Sequence, residues 1–285
     1  MIKKMSELLR DAEEKNYAVM GIDFLSRPML RLLIRSAEKH RAPLIAMFPD
    51  IPLNFWNMSK SFQRDVLQMC EEATIPVCLH LDHGKTVEVC RDAIEAGFTS
   101  VMIDGSSLPY KENVSVVRQV VESARQRGVE VEAEIGHVGS GKGTIEGRSD
   151  ESFMTDPDEA LRFGEETEAD SIAVSVGTVH GTYRGEPKID LRRLREINAL
   201  VPVPLVLHGG SGTGDDNIRE MVSSGIRKIN LFTEWIKAYL KATKRFYLTT
   251  PWKIFIPGAK DAARFEAADE VLGHYFEISG SSGRA

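Results

Sequence analysis

Three histidines close short β-rich runs, and a glycine follows each of them: His83 in Leu81-Asp82-His83-Gly84, His180 in Val179-His180-Gly181 and His208 in Leu207-His208-Gly209. Three imidazoles are the ligand set of a catalytic Zn2+ with an open coordination position. A closed structural zinc site takes four ligands, often thiolates, and this chain has only Cys70, Cys78 and Cys90, with no Cys-x-x-Cys among them. Iron, cobalt or manganese would suit the same donors. Asp82 places a carboxylate beside the first imidazole, Glu134 ends another β-rich run, and Asn230 ends a fourth. His208-Gly209-Gly210-Ser211-Gly212-Thr213-Gly214 leads into a helical pattern. Glycines let backbone amides approach an anion, and a helix N-terminus favours negative charge. Gly181 and Arg184, in His180-Gly181-Thr182-Tyr183-Arg184, bring a second glycine and a cation towards the same place, and Thr233 opens the last helical stretch with a hydroxyl. Together these residues describe metal-assisted chemistry on a phosphorylated small molecule. Of the other histidines, His80 reads as a core imidazole with one backbone hydrogen bond and His40 as a solvated helix-end residue; His137 is left open.

Residues this far apart meet only if the chain returns them to one rim. Eight strand-then-helix units do so. The strands are expected at Ala18 to Ile22, Leu44 to Met47, Val77 to Leu81, Ser100 to Ile103, Val129 to Ile135, Ser171 to Val176, Leu205 to Leu207 and Lys228 to Leu231. Their helices are expected near Pro28 to Lys39, Ser61 to Ala73, Val87 to Ala96, Lys111 to Arg127, Asp158 to Thr167, Asp190 to Leu200, Asp215 to Ser224 and Thr233 to Lys244. Eight such units in series predict an α/β fold, a single-domain (β/α)8 TIM barrel over residues 1–285, whose C-terminal strand ends share one face. Continuously apolar strands fit a sheet covered on both sides. The connection from Gly136 to Pro157 carries Gly136, Gly139, Gly141, Gly143 and Gly147 and reads as a lid. The stretch from Tyr247 to Ala285 reads as a C-terminal helical extension packed on the barrel end or on another subunit, with Gly280 to Ala285 disordered.

The 285 residues and 42% hydrophobic content suffice for one such barrel. A net charge of −6 argues against nucleic-acid binding, so an anionic substrate needs a local positive site. No apolar run approaches the roughly 18 residues that span a membrane. Met1 to Lys15 is charged throughout and lacks a signal peptide's apolar core. Reduced thiols and a cytoplasmic location are the simplest reading of three cysteines.

Four segments in this order and spacing resemble the class II ketose-bisphosphate aldolases, nearest the tagatose-bisphosphate type. They are His80-Leu81-Asp82-His83-Gly84, Glu132-Ala133-Glu134-Ile135-Gly136, Gly177-Thr178-Val179-His180-Gly181 and Leu207-His208-Gly209-Gly210-Ser211. The resemblance runs to about residue 245. It implies zinc at His83, His180 and His208, with Glu134 close to the metal. It implies Asp82 as the acid/base at the C4 oxygen and Asn230 as a substrate hydroxyl contact. Gly181, Arg184, Gly209, Ser211 and Thr233 match positions that bind the ketone-side phosphate. A sodium or potassium ion beside the phosphate loop, and a homodimer or homotetramer, are further implications. The reaction implied is reversible retro-aldol cleavage of a ketose 1-phosphate or bisphosphate to dihydroxyacetone phosphate and an aldehyde.

The sequence departs from the pattern in places that matter. Lys142 stands where the family's loop glutamate is expected, with Glu146 the nearest carboxylate to replace it. Phe48 occupies the place of a small hydroxyl residue near the substrate phosphate, Gly21-Ile22-Asp23 replaces Ala-Phe-Asn, and no C-terminal arginine is evident between Trp252 and Ala259. These departures predict a rebuilt distal pocket and an aldehyde half that is unphosphorylated or carries a carboxylate or sulfonate. A metal-dependent isomerase or epimerase on the same barrel, and a non-catalytic sugar-phosphate sensor, are the competing readings.

Overall fold

The computed structural model describes residues 1–51, 59–140, 154–183, 185–250 and 258–285. Eight parallel strands close a barrel: β1 (Val19–Asp23), β2 (Leu44–Pro49), β3 (Val77–Gly84), β4 (Ser100–Ile103), β5 (Glu130–Ile135), β7 (Ser171–Val174), β9 (Leu205–Leu207) and β10 (Ile226–Leu231). Two short strands, β6 (Gly139–Ser140) and β8 (Val179–His180), pair with each other above the rim. The helices after the barrel strands are α2 (Arg27–His40), α3 (Lys60–Glu72), α4 (Val87–Glu95), α5 (Tyr110–Arg125), α6 (Pro157–Thr167), α7 (Leu191–Leu200), α8 (Asp215–Ser223) and α9 (Thr233–Thr249). Five of them start under a polar cap that the sequence supplies, the side chains of Ser26, Ser59, Thr86, Asp156 and Asp190 each accepting from a first-turn amide.

Strand alternation sorts the interior from the helix layer. On β5, Val131, Ala133 and Ile135 join the apolar layer under the helices. The alternate residues Glu132 and Glu134 are buried on the inner face, where Glu132 meets Lys228 of β10. Phe48 obeys the same rule: it points into the helix layer, 5.4 Å from the Phe24 ring and 6.4 Å from Phe62, and does not line the cavity at the rim. Its bulk therefore does not rebuild the distal pocket, as its place in the sequence suggested.

An N-terminal helix, α1 (Met5–Lys15), precedes the barrel. Met5, Leu8, Leu9 and Ala12 are buried against Val19, Ile45, Met47 and Cys78, the interior residues at the N-terminal end of the barrel. Their i, i+3, i+4, i+7 spacing was the signal for it, hidden among charges. The C-terminal helix α10 (Ala259–Ile278) packs on α9 and α2. The last residues are ordered rather than disordered. Gly283 donates to the His40 carbonyl at 3.0 Å and Ala285 to that of Arg41 at 2.9 Å, and Ser281 is buried. His40 is likewise no solvated end residue; its ring lies 3.2 Å from the buried Asp269 carboxylate.

Candidate active site

Asp82 and His83 are neighbours on β3, and a regular strand would point them to opposite faces. The strand breaks its rule there: pairing with β4 shifts register between Leu81 and Gly84, and His83 takes a left-handed backbone with φ 49°. Such a conformation costs a non-glycine residue of order 1–3 kcal/mol. The result is that both side chains face the rim cavity.

His180 follows β7 through β8, and His208 follows β9. The three imidazoles converge, with ligand nitrogens of His83, His180 and His208 all within 4.8 Å of one another. His83 Nδ1 donates to Asp104 Oδ2 at 2.8 Å, and His208 Nε2 donates to Glu132 Oε1 at 3.0 Å. These bonds fix the tautomers, as carboxylates behind metal-ligating histidines do. They leave His208 Nδ1 buried without a hydrogen-bond partner among the described residues. Burial, with His83 alongside, holds the His208 pKa below the ordinary histidine range, and the neutral imidazole is the form that can ligate. A buried lone pair among three converging imidazoles fits a divalent metal.

Glu134 sits beside this cluster, its Oε2 3.6 Å from His208 Nδ1, while its Oε1 accepts from the Val138 amide at 3.1 Å. It also forms a group with His83 and Asp104. Burial and the Asp104 charge push its carboxyl well above the usual range. For Asp104 burial alone would act the same way, but the His83 and Ser106 hydrogen bonds outweigh it and hold the acid far below that range. Ser106 donates to Asp104 at 2.7 Å and lies 3.0 Å from His137 Nδ1, which gives that histidine a place in the chain behind His83.

Beneath the site lies a buried network whose extent was not evident in the sequence. Lys228 donates to Glu132 Oε2 at 2.6 Å and lies 3.4 Å from His80 Nε2. His80 Nδ1 donates to Ser100 at 2.8 Å, so its partners are side chains, not the single backbone group expected. All of Lys228, Glu132, His80 and His208 are buried. Gly21 makes room for this: a Cβ there would come within 2.8 Å of Met47 Sδ, 2.9 Å of Asn230 Oδ1 and 3.1 Å of Lys228 Cε. The signals for Glu132 and Lys228 were polar residues two positions below Glu134 and Asn230, hence on the same inner face.

The cavity above is lined by Asp23, Asp82, His83, His180, Gly181, Gly209, Ser211, Asn230, Leu231, Phe232 and Thr233. Asn230 donates to Asp82 Oδ1 at 3.0 Å and orients that carboxylate. Asp23 joins the wall at the end of β1. The glycine loop is gripped on one side by Tyr183, whose hydroxyl lies 3.2 Å from both the Gly209 carbonyl and Thr213 Oγ1. Gly209 is required: its φ is 72°, and a Cβ would meet the Val179 carbonyl oxygen at 2.4 Å. The Gly210 amide is committed to Asn230, that of Gly212 to Glu234 and Tyr275, and that of Thr213 to Gly210. No described residue accepts from the amides of Gly181, Gly209 or Ser211, all three at the cavity wall. Glu146, Lys142 and Arg184 lie outside the described residues, as does most of the Gly136 to Pro157 connection.

A parallel barrel that gathers three imidazoles, a carboxylate and a glycine-rich loop at its C-terminal rim is the frame of a barrel enzyme. The chain belongs to the family described as Fructose-bisphosphate aldolase class-II, which matches residues 3–284. It is therefore an aldolase, a carbon–carbon lyase. It is 38% identical over 283 residues to a 6-phospho-5-dehydro-2-deoxy-D-gluconate aldolase of Bacillus licheniformis, covering 99% of this chain and 96% of that one. It is 37% identical over 288 residues to a fructose-bisphosphate aldolase of Geobacillus stearothermophilus, covering 99% and 98%. The crystal structure of the YdjI aldolase from Escherichia coli K12 superposes with a TM-score of 0.87 at 31% identity, over 100% of both chains. Among the described residues, no helix is long and apolar enough to cross a membrane.

Proposed function

We propose that this aldolase cleaves a ketose 1-phosphate to dihydroxyacetone phosphate and an aldehyde, with Zn2+ held by His83, His180 and His208. The observation that carries the reading is the convergence on one cavity of three imidazole nitrogens able to hold a metal, the Asp82 carboxylate and the amide-bearing residues Gly181, Gly209 and Ser211. When bound, the metal supplies Lewis acidity at the ketone end of the substrate, where negative charge develops. The protein residues do the rest. Amides of Gly181, Gly209 and Ser211 and the hydroxyls of Ser211 and Thr233 hold the phosphate, with Arg184 adding charge and a sodium or potassium ion beside the loop. Asn230 contacts a substrate hydroxyl and steadies Asp82. Asp82 takes the proton of the C4 hydroxyl as the C3–C4 bond breaks; the electron pair stays on C3 and C4 leaves as the aldehyde carbon. A proton delivered to C3 then completes dihydroxyacetone phosphate, and Glu146 is the proposed donor. Glu134 supports the ligand cluster from beside it.

For the aldehyde half we propose a terminus other than phosphate. Asp23 sits in the cavity wall, and no lysine or arginine lines that wall among the described residues. A phosphate dianion at the aldehyde end would need charge-assisted hydrogen bonds worth roughly 1.5–3 kcal/mol each, and no cation among the described wall residues supplies them. A neutral or singly charged end, such as the carboxylate named in the gluconate-type relatives, is the better match. The test is kcat/KM, with coupled detection of dihydroxyacetone phosphate, over ketose 1-phosphates bearing hydroxyl, carboxylate, sulfonate or phosphate termini. Cleavage of fructose or tagatose bisphosphate at or above every other substrate would overturn this part. We also propose a homodimer or homotetramer in the cytoplasm, which light scattering and fractionation test.

A further inference from the structure

The outer edge of the glycine loop is held by a helix that lies outside the eight βα units. Tyr275 comes from α10, sixty-three residues beyond Gly212. Its hydroxyl accepts from the Gly212 amide at 3.2 Å, donates to the Glu234 carboxylate and lies 3.4 Å from the Gly210 carbonyl oxygen. Glu234, in the first turn of α9, accepts from the same Gly212 amide at 3.1 Å. The Glu234 amide reaches Ser211 Oγ at 3.4 Å. One hydroxyl thus ties together the loop after β9, the helix after β10 and the C-terminal helix. The Tyr275 ring is 5% exposed, so its hydroxyl does not compete for bulk water. α10 is anchored in turn, since Asp269 accepts from Ser36 of α2 at 2.7 Å and from Lys39.

A turn with four glycines, Gly209, Gly210, Gly212 and Gly214, has many backbone arrangements open to it, and few present amides to an anion. The Gly212 amide is held by Glu234 and Tyr275 on the outer edge, while Gly209 and Ser211 of the same loop line the cavity. We propose that Tyr275, acting with Glu234, is a positioning residue for the phosphate end of the site, presetting the loop so that it does not have to be ordered by the substrate. This rests on the reading of the loop as the phosphate site. Preorganisation of this kind shows in binding more than in the chemical step.

The experiment is steady-state kinetics on metal-replete wild type, Tyr275→Phe and Glu234→Asp, with inorganic phosphate as competitive inhibitor and thermal melting alongside. Tyr275→Phe keeps the ring and removes one hydroxyl; Glu234→Asp keeps the charge and withdraws the carboxylate. Loss of hydrogen bonds of this kind is expected to raise KM and the phosphate inhibition constant together by about 5–20-fold, with kcat held within about threefold. A fall in melting temperature with KM and the inhibition constant unchanged would make Tyr275 a structural residue only and overturn the proposal. So would an equal loss of kcat in both variants with no change in phosphate inhibition. If Tyr275→Phe does not fold, Glu234→Asp carries the same expectation and the same refutation. Wild-type enzyme that cleaves substrate but is not inhibited by phosphate would instead overturn the phosphate-site reading, a different failure from that of the variants.

Discussion

At the scale of single residues, the proposed function separates a group assigned to move a proton from the groups that hold it. Asp82 is buried, carries an Asn230 hydrogen bond at 3.0 Å and lies 3.9 Å from the His83 ring, which is why the proposal assigns it proton transfer and not ligation. Asp82→Asn is expected to retain zinc and substrate binding while turnover falls roughly 10²–10⁴-fold, the usual worth of a positioned proton-transfer group. Turnover near wild type would reassign the role. Lys228 is the opposite kind of residue, fully buried and paired with Glu132, which in turn orients His208. Lys228→Met leaves Glu132 without its buried counter-charge, and breaking such a pair costs about 3–5 kcal/mol. Loss of support behind a ligating histidine is also expected to weaken metal binding by about 10–100-fold. Denaturant unfolding and zinc competition measure the two effects, and neither changing would show the network to be inert.

At the scale of elements, the last helix holds the barrel's outside together. Asp269 gathers Ser36, Lys39 and His40 of α2 around one carboxylate of α10. Burial alone would raise its pKa, but the Lys39 and Ser36 hydrogen bonds and the His40 charge outweigh it and hold the carboxyl below the usual aspartate range. A carboxyl depressed in the folded state contributes stability above its unfolded pKa, and that contribution is lost as pH falls through the folded one. Asp269→Asn is therefore expected to destabilise the protein by about 1–3 kcal/mol near neutral pH. The gap to wild type closes as pH drops below about 4, the ordinary aspartate range. A gap independent of pH would show that the ion pairing contributes nothing. The elements were legible where period and punctuation agreed: all eight barrel strands and their helices lie where alternation, apolar runs and cap residues put them. α1 escaped notice because its four buried residues are spread among charges. The tail escaped because small polar residues such as Ser281 can be buried by backbone pairing that no side-chain pattern announces.

At the scale of the whole molecule, the rim is where sequence and structure agree best. Histidines at three strand ends can be read as one site once the barrel is inferred, because closure brings strand ends together whatever lies between them. Side-chain direction is harder to read. Phe48 looked like a pocket residue and faces the helices, while Asp104, Glu132 and Lys228, to which the sequence assigned no role, stand behind or beneath the three histidines. The central claim is that one divalent metal at His83, His180 and His208 drives a retro-aldol cleavage on this rim. Its most direct test follows dihydroxyacetone phosphate release from a ketose 1-phosphate as metal is stripped by chelation and then titrated back. The expected result is activity that vanishes with the metal, returns in proportion to about one Zn2+ per chain, and does not return in His83→Ala, His180→Ala or His208→Ala. Full activity in the metal-free enzyme, or substrate trapped on a lysine by borohydride, would contradict it.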